Sequence, residues 1–115
     1  MTPGSIILAC VQQSDGQFKK RPALVLVEVP PYRDLLICGI SSKVRHEVAG
    51  FDEIVSQSDP GFAQTGLKAD SLIRLGLLAT IPASSVAGRL GVLAPERHAM
   101  LRRRLAAYLR RPSDA

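Results

Sequence analysis

Three consecutive cations, Lys19-Lys20-Arg21, run into Pro22 and then into the apolar stretch Ala23-Leu24-Val25-Leu26-Val27. The planar guanidinium of arginine can donate two parallel hydrogen bonds to a phosphate, and does so best where its backbone is fixed. The aliphatic run behind the proline reads as a buried strand, and Pro22 suits its first position, where a missing N–H costs least. Arg21 is therefore expected at the mouth of a strand, with Lys19 and Lys20 beside it, as an anchored phosphate ligand. The same spacing also suits a solvated loop rim that only keeps the chain soluble.

Ser41-Ser42-Lys43 forms a second group, directly after the apolar run Leu35 to Ile40. Where residues 23–29 and 35–40 pair as an antiparallel hairpin, the end of the second strand lies beside the start of the first, and Ser41 comes near Arg21. A hydroxyl and a guanidinium converging on one point can hold and polarise a phosphodiester. A serine in this place equally satisfies backbone groups at a turn. His46 follows closely enough to act as a general base, or is a surface loop histidine. Neither His46 nor His98 has another His or a Cys at zinc-site spacing, and His98 reads as a helix-surface residue. There is no glycine-rich phosphate loop and no pair of catalytic carboxylates, and nothing implies a cofactor or a metal.

The elements that must carry these groups are mostly strands. Gly4 to Val11 reads as a strand covered on both faces, and Gln12 to Phe18, with Asp15-Gly16, as a loop between antiparallel strands. Ala23 to Val29 and Leu35 to Ile40 follow, joined by a Pro30-Pro31 turn. Phe51 to Val55 reads as a short strand, and Asp59-Pro60-Gly61 as part of a loop. Ser71 to Leu75 and Leu77 to Ile81 read as two segments, or as one strand with a bulge at Gly76. Pro82 to Ala87 is expected as one helical turn and Gly88 to Leu93 as a short edge strand. The last element is a helix opening at Pro95, with Glu96 at its positive end and Ala94 a poor N-cap. Leu101, Leu105, Tyr108 and Leu109 share one of its faces, and arginines cover much of the rest. The expected fold class is mainly β: a small, strongly bent antiparallel sheet or partly open barrel with a C-terminal α-helix.

Composition agrees with one domain spanning 1–115. Hydrophobic residues make up 46% of the chain, enough to argue against intrinsic disorder, but aromatics are only 4%, so the core must be aliphatic. The net charge of +5 favours an anionic partner: nucleic acid, an acidic protein or a membrane surface. No apolar run approaches the roughly 20 residues of a spanning helix, the N-terminus lacks signal-peptide character, and Cys10 and Cys38 lie in strand-like runs as structural thiols. A cytoplasmic protein is the expectation. The arginine-rich helix is open to three readings: a solvated face, a nucleic-acid contact, or a partner or membrane surface.

The order Gly4-Ser5-Ile6-Ile7-Leu8, Lys20-Arg21-Pro22-Ala23-Leu24-Val25-Leu26, Ile40-Ser41-Ser42-Lys43, Gly66-Leu67-Lys68-Ala69-Asp70-Ser71-Leu72-Ile73-Arg74 and Ala79-Thr80-Ile81 resembles the MazF/PemK (Kid) toxins of type II toxin–antitoxin systems. The likeness covers nearly the whole chain. It implies an SH3-like barrel, a homodimer, a cognate antitoxin, and metal-independent, sequence-specific cleavage of single-stranded RNA through a 2′,3′-cyclic phosphate. It also implies catalytic roles for Arg21 and Ser41. RNA-binding roles would fall to Phe18, Lys19, Lys20, Ser42, Lys43 and Arg74. Where some members carry an acidic residue proposed as a base, this chain has Gly76-Leu77, which leaves Asp15, His46 and Asp70 as candidates for that role. A non-catalytic RNA- or partner-binding module of the same fold, or a gyrase-directed toxin, are the alternative readings.

Overall fold

A computed structural model describes residues 1–12 and 14–112 of the chain. Its six strands are β1 (Ser5–Gln12), β2 (Phe18–Val29), β3 (Asp34–Ser41), β4 (Glu53–Val55), β5 (Ser71–Ile81) and β6 (Val86–Val92), with helices α1 (Phe62–Thr65) and α2 (Pro95–Leu109). The strands form one antiparallel sheet in the order β4-β5-β3-β2-β1-β6. Register shifts interrupt the β1–β6, β2–β3 and β3–β5 ladders, and such bulges bend and twist a sheet. The expected class, a strongly bent β sheet with a C-terminal helix, is the class observed.

Strand alternation divides the sheet into two faces. Ile6, Leu24, Leu26, Cys38, Ile40, Ile73 and Leu75 point into the larger core, which α2 closes with the fully buried Leu101. Ile7, Ala9, Ala23, Val25, Leu35, Ile37 and Ile81 form the other cluster. Burying a leucine such as Leu101 contributes about 2 kcal/mol, so helix docking rests largely on a few aliphatic contacts.

Several expectations need correction. β2 begins at Phe18, not Ala23, so Pro22 lies inside the strand. Its pairing with β1 already runs from Phe18, whereas pairing with β3 starts only at Ala23, so the missing N–H lies where β2 has a neighbour on one side. Of the two forms expected for residues 71–81, the single strand with a bulge at Gly76 is the one observed, whereas α1 is an element that its polar surroundings conceal. α1 fits against β6 because Gly66 and Gly91 lack a Cβ: one on Gly66 would overlap Leu90 O, and one on Gly91 would overlap Gln64 O. On α2, Leu101 is buried but Leu109 is 72% exposed, so the apolar stripe points inward for only part of its length. Tyr108 packs on Phe51 with ring centroids 5.1 Å apart.

His98 is not a surface residue: it is 7% exposed. Its Nε2 lies 3.2 Å from both Val25 O and Leu26 O, so the ring carries its proton on Nε2 and donates to these carbonyls. The cause lies in β2, where Leu26 is the extra residue of a bulge between Val25 and Val27. The helical arginines are not all solvated either. Arg97 donates to Glu53 Oε2 (3.0 Å), Asp59 Oδ2 (2.9 Å) and Ile54 O (2.7 Å). Arg104 donates to Asp52 O at 2.9 Å and lies 3.7 Å from Glu53 Oε1. Cys38 is buried and Cys10 half-buried, and burial, with the Asp52 charge second, pushes the Cys38 thiol from 9.0 up to about 12. Among the described residues, no helix is long and apolar enough to cross a membrane.

Candidate functional site

Arg21, Ala23 and Val25 alternate onto one face of β2, and Ile37, Gly39 and Ser41 onto the same face of β3. Val25 pairs with Ile37 and Ala23 with Gly39. Continuing that register by two residues sets Arg21 opposite Ser41, as the hairpin expectation requires. Arg21 is also held from its other side by pairing with Ala9 of β1. Beyond β3, Arg74 of β5 pairs with Gly39. Arg74, Gly39 and Ala23 thus form one cross-strand row, with the Leu77 side chain packed over Gly39.

A cleft of about 810 Å³ lies over this row. Its polar lining includes Arg21, Ser41, Ser42, Lys43, His46 and Arg74, and its apolar wall is built from Ile37, Leu77, Leu78 and Ala79. Cationic groups come from three places in the fold, and none of the lining residues is Asp or Glu. The potential in the cleft therefore favours an anion. Ser41 Oγ accepts the Lys43 N–H at 3.0 Å, which fixes the side chain and does not use its O–H as a donor. A 3-10 turn over Val44–His46 follows, closed by His46 N to Lys43 O at 3.0 Å. This tight turn brings Lys43 and His46 back to the strand end that carries Ser41.

The other candidates lie elsewhere. Phe18 is 69% exposed at the far end of the β1–β2 ladder, and Lys19 and Lys20 are exposed beside it; none of these lines the cleft. Asp15 accepts the Gln17 N–H at 3.0 Å in its own turn. Asp70 accepts the Gln57 N–H at 2.8 Å and ties the 56–59 loop to the start of β5. Of the three candidate bases, His46 is the one in the cleft. The apolar wall and Gln12 and Ser14, which also line the cleft, escaped the sequence reading. The exposed pair Leu77-Leu78 directly after Gly76 was the available signal.

This bent sheet with a cationic cleft across β2, β3 and β5 can now be set beside known proteins. The family model described as "PemK-like, MazF-like toxin of type II toxin-antitoxin system" matches residues 2–109. The chain belongs to that family. Among solved structures, the Mycobacterium tuberculosis toxin MazF-mt6 has the same fold, with a TM-score of 0.68 and 20% identity over 95% of this chain and 99% of that one. No curated protein sequence matches.

Proposed function

We propose that the chain is a metal-independent endoribonuclease, the toxin of a toxin–antitoxin pair, acting on single-stranded RNA in this cleft. The observation that carries the reading is that Arg21 and Ser41, each two residues beyond the Ala23–Gly39 pair, line one cleft together with Lys43, His46 and Arg74. The Arg21 guanidinium and the Ser41 hydroxyl hold the non-bridging oxygens of the scissile phosphate, and their hydrogen bonds strengthen as charge builds on the phosphorane. His46 takes the proton of the ribose 2′-hydroxyl. The 2′ oxygen forms its bond to phosphorus, the bond from phosphorus to the 5′ oxygen breaks, and the departing oxygen takes a proton from solvent water. The products are a 2′,3′-cyclic phosphate and a free 5′-hydroxyl. Lys43 and Arg74 hold flanking phosphates. Phe18, Lys19 and Lys20 extend the RNA track outside the cleft. A homodimer and an antitoxin that covers the cleft complete this reading.

Incubation of the purified protein with mixed-sequence single-stranded RNA in EDTA tests it. New 5′-hydroxyl ends are expected, and Arg21→Ala should slow their appearance by roughly 100-fold or more. RNA left intact at high protein concentration, or undiminished cutting by a folded Arg21→Ala variant, overturns the catalytic reading. Binding without cutting is the second reading, favoured by the absence of any carboxylate in the cleft lining. It gives steeply salt-dependent RNA affinity and no new ends.

A further inference from the structure

We propose that Asp52 is a positioning residue for the cleft: its buried carboxylate holds the β5 bulge that delivers Arg74 to its place opposite Gly39. Along β5, Leu78 pairs with Cys38, but the next step on β3 pairs Gly39 with Arg74. Leu75, Gly76 and Leu77 are thereby left without β3 partners. Had the register of the Cys38–Leu78 pair continued, Gly39 would face Leu77 and Ser41 would face Leu75. A leucine would then occupy the place of the cation. The bulge is what exchanges the two, and because it inserts an odd number of residues it also reverses which side chains point to which face.

Such a bulge removes backbone groups from the ladder, and a buried N–H must find another acceptor. Leu75 is fully buried, and its N–H donates to Asp52 Oδ1 at 3.1 Å. The other oxygen, Oδ2, accepts the Val48 N–H at 3.0 Å. Asp52 is itself only 5% exposed, so an anionic acceptor has been placed in the protein interior to bind two amides. Helix α2 fixes the same turn from the other side, through Arg104 donating to Asp52 O at 2.9 Å. Phe51 backs Gly76, where a Cβ would come within 3.6 Å of Phe51 Cε2. The Leu77 side chain folds over Gly39, where a Cβ would overlap its Cδ2. Asp52 thus fixes the bulge at its Leu75 end, next to the cation of Arg74, and the apolar wall at Leu77 follows at the other end.

The consequence for binding rests on reading the cleft as an RNA site, and two measurements separate the two claims. In the protein alone, Asp52→Asn and the smaller Asp52→Ser should each lower the exchange protection of the Leu75 amide at least about tenfold relative to Ile73, and shift the Arg74 Nε–H resonance. In a binding assay with uncleavable 2′-O-methyl RNA, Asp52→Asn should weaken affinity by about the same factor as Arg74→Ala, roughly tenfold for one charge-assisted contact. The double variant should be no weaker than Arg74→Ala. Unchanged Leu75 protection and Arg74 resonance overturn the positioning role. So do losses that multiply in the double variant, which would mark Asp52 as a purely structural residue. If the wild type does not bind this RNA, the RNA reading falls, and the exchange and resonance data still decide the role of Asp52.

Discussion

Replacing Arg97 by alanine should cost the fold about 3 kcal/mol. The side chain docks α2 on the β4 region through three acceptors at 3.0, 2.9 and 2.7 Å, on Glu53, Asp59 and Ile54. Hydrogen bonds from a charged donor contribute about 1.5–3 kcal/mol each when their partners are buried. Arg97 and Glu53 side chains are 24% and 20% exposed, so the lower end applies to the bonds with Glu53 and Ile54. Their sum gives the figure, with nothing added for the more solvated Asp59 contact. Truncation also leaves Glu53, among the described residues, with the longer Arg104 contact at 3.7 Å as its one ion pair. At a urea slope of about 2 kcal/mol per molar, the unfolding midpoint should fall by roughly 1.5 M. Arg97→Lys should lose about half as much, because one ammonium cannot reach all three acceptors in the fork geometry of a guanidinium. A midpoint within about 0.2 M of the wild type for Arg97→Ala would refute the assignment of Arg97 as the clamp between helix and sheet.

Two further outcomes follow from the buried groups. Desolvation first, and the Arg102 charge last among its causes, holds His98 below the usual histidine range, despite the raising effect of its bonds to Val25 O and Leu26 O. The unfolded chain therefore binds the proton more readily, and stability present above about pH 6.5 should decline as pH falls below it. Urea midpoints measured from pH 7.5 to 5.0 should show this decline, and His98→Gln should remove that component. Gly91→Ala should destabilise by about 2 kcal/mol or more, because the new Cβ meets the Gln64 and Thr65 backbone rather than a side chain that can turn away. A melting temperature within about 2 °C of the wild type would contradict the close approach of α1 to β6.

The half of the cleft that the sequence made legible is the half built by a hairpin. Arg21 and Ser41 reach the same cleft because two consecutive strands alternate with period two and pair antiparallel, and both facts can be read from local apolar runs. The extension of β2 back to Phe18 was hidden because its polar residues are held by β1, whose pairing is not encoded in their hydrophobicity. His98 looked like a surface residue because the bulge at Leu26, whose carbonyls it satisfies, lies 72 residues away in the chain. Arg97 and Arg104 looked solvated for the same reason, their acids being remote in sequence.

The other half of the cleft depends on a register that alternation alone would assign wrongly. Uninterrupted pairing of β3 with β5 brings leucines to Gly39 and Ser41, and only the Leu75–Leu77 bulge brings Arg74. The same three residues include Gly76, which the sequence resemblance sets where some toxins of this family carry an acid. Gly76 is exposed and faces Phe51, and Leu77 covers Gly39, so this stretch gives the cleft an apolar wall in place of a carboxylate. In the proposed reading proton removal falls to the β3 side, where the turn after Ser41 returns His46 to the cleft. In the proposed reading β5 contributes charge and apolar surface to the cleft, and the β3 side contributes the Ser41 hydroxyl and His46.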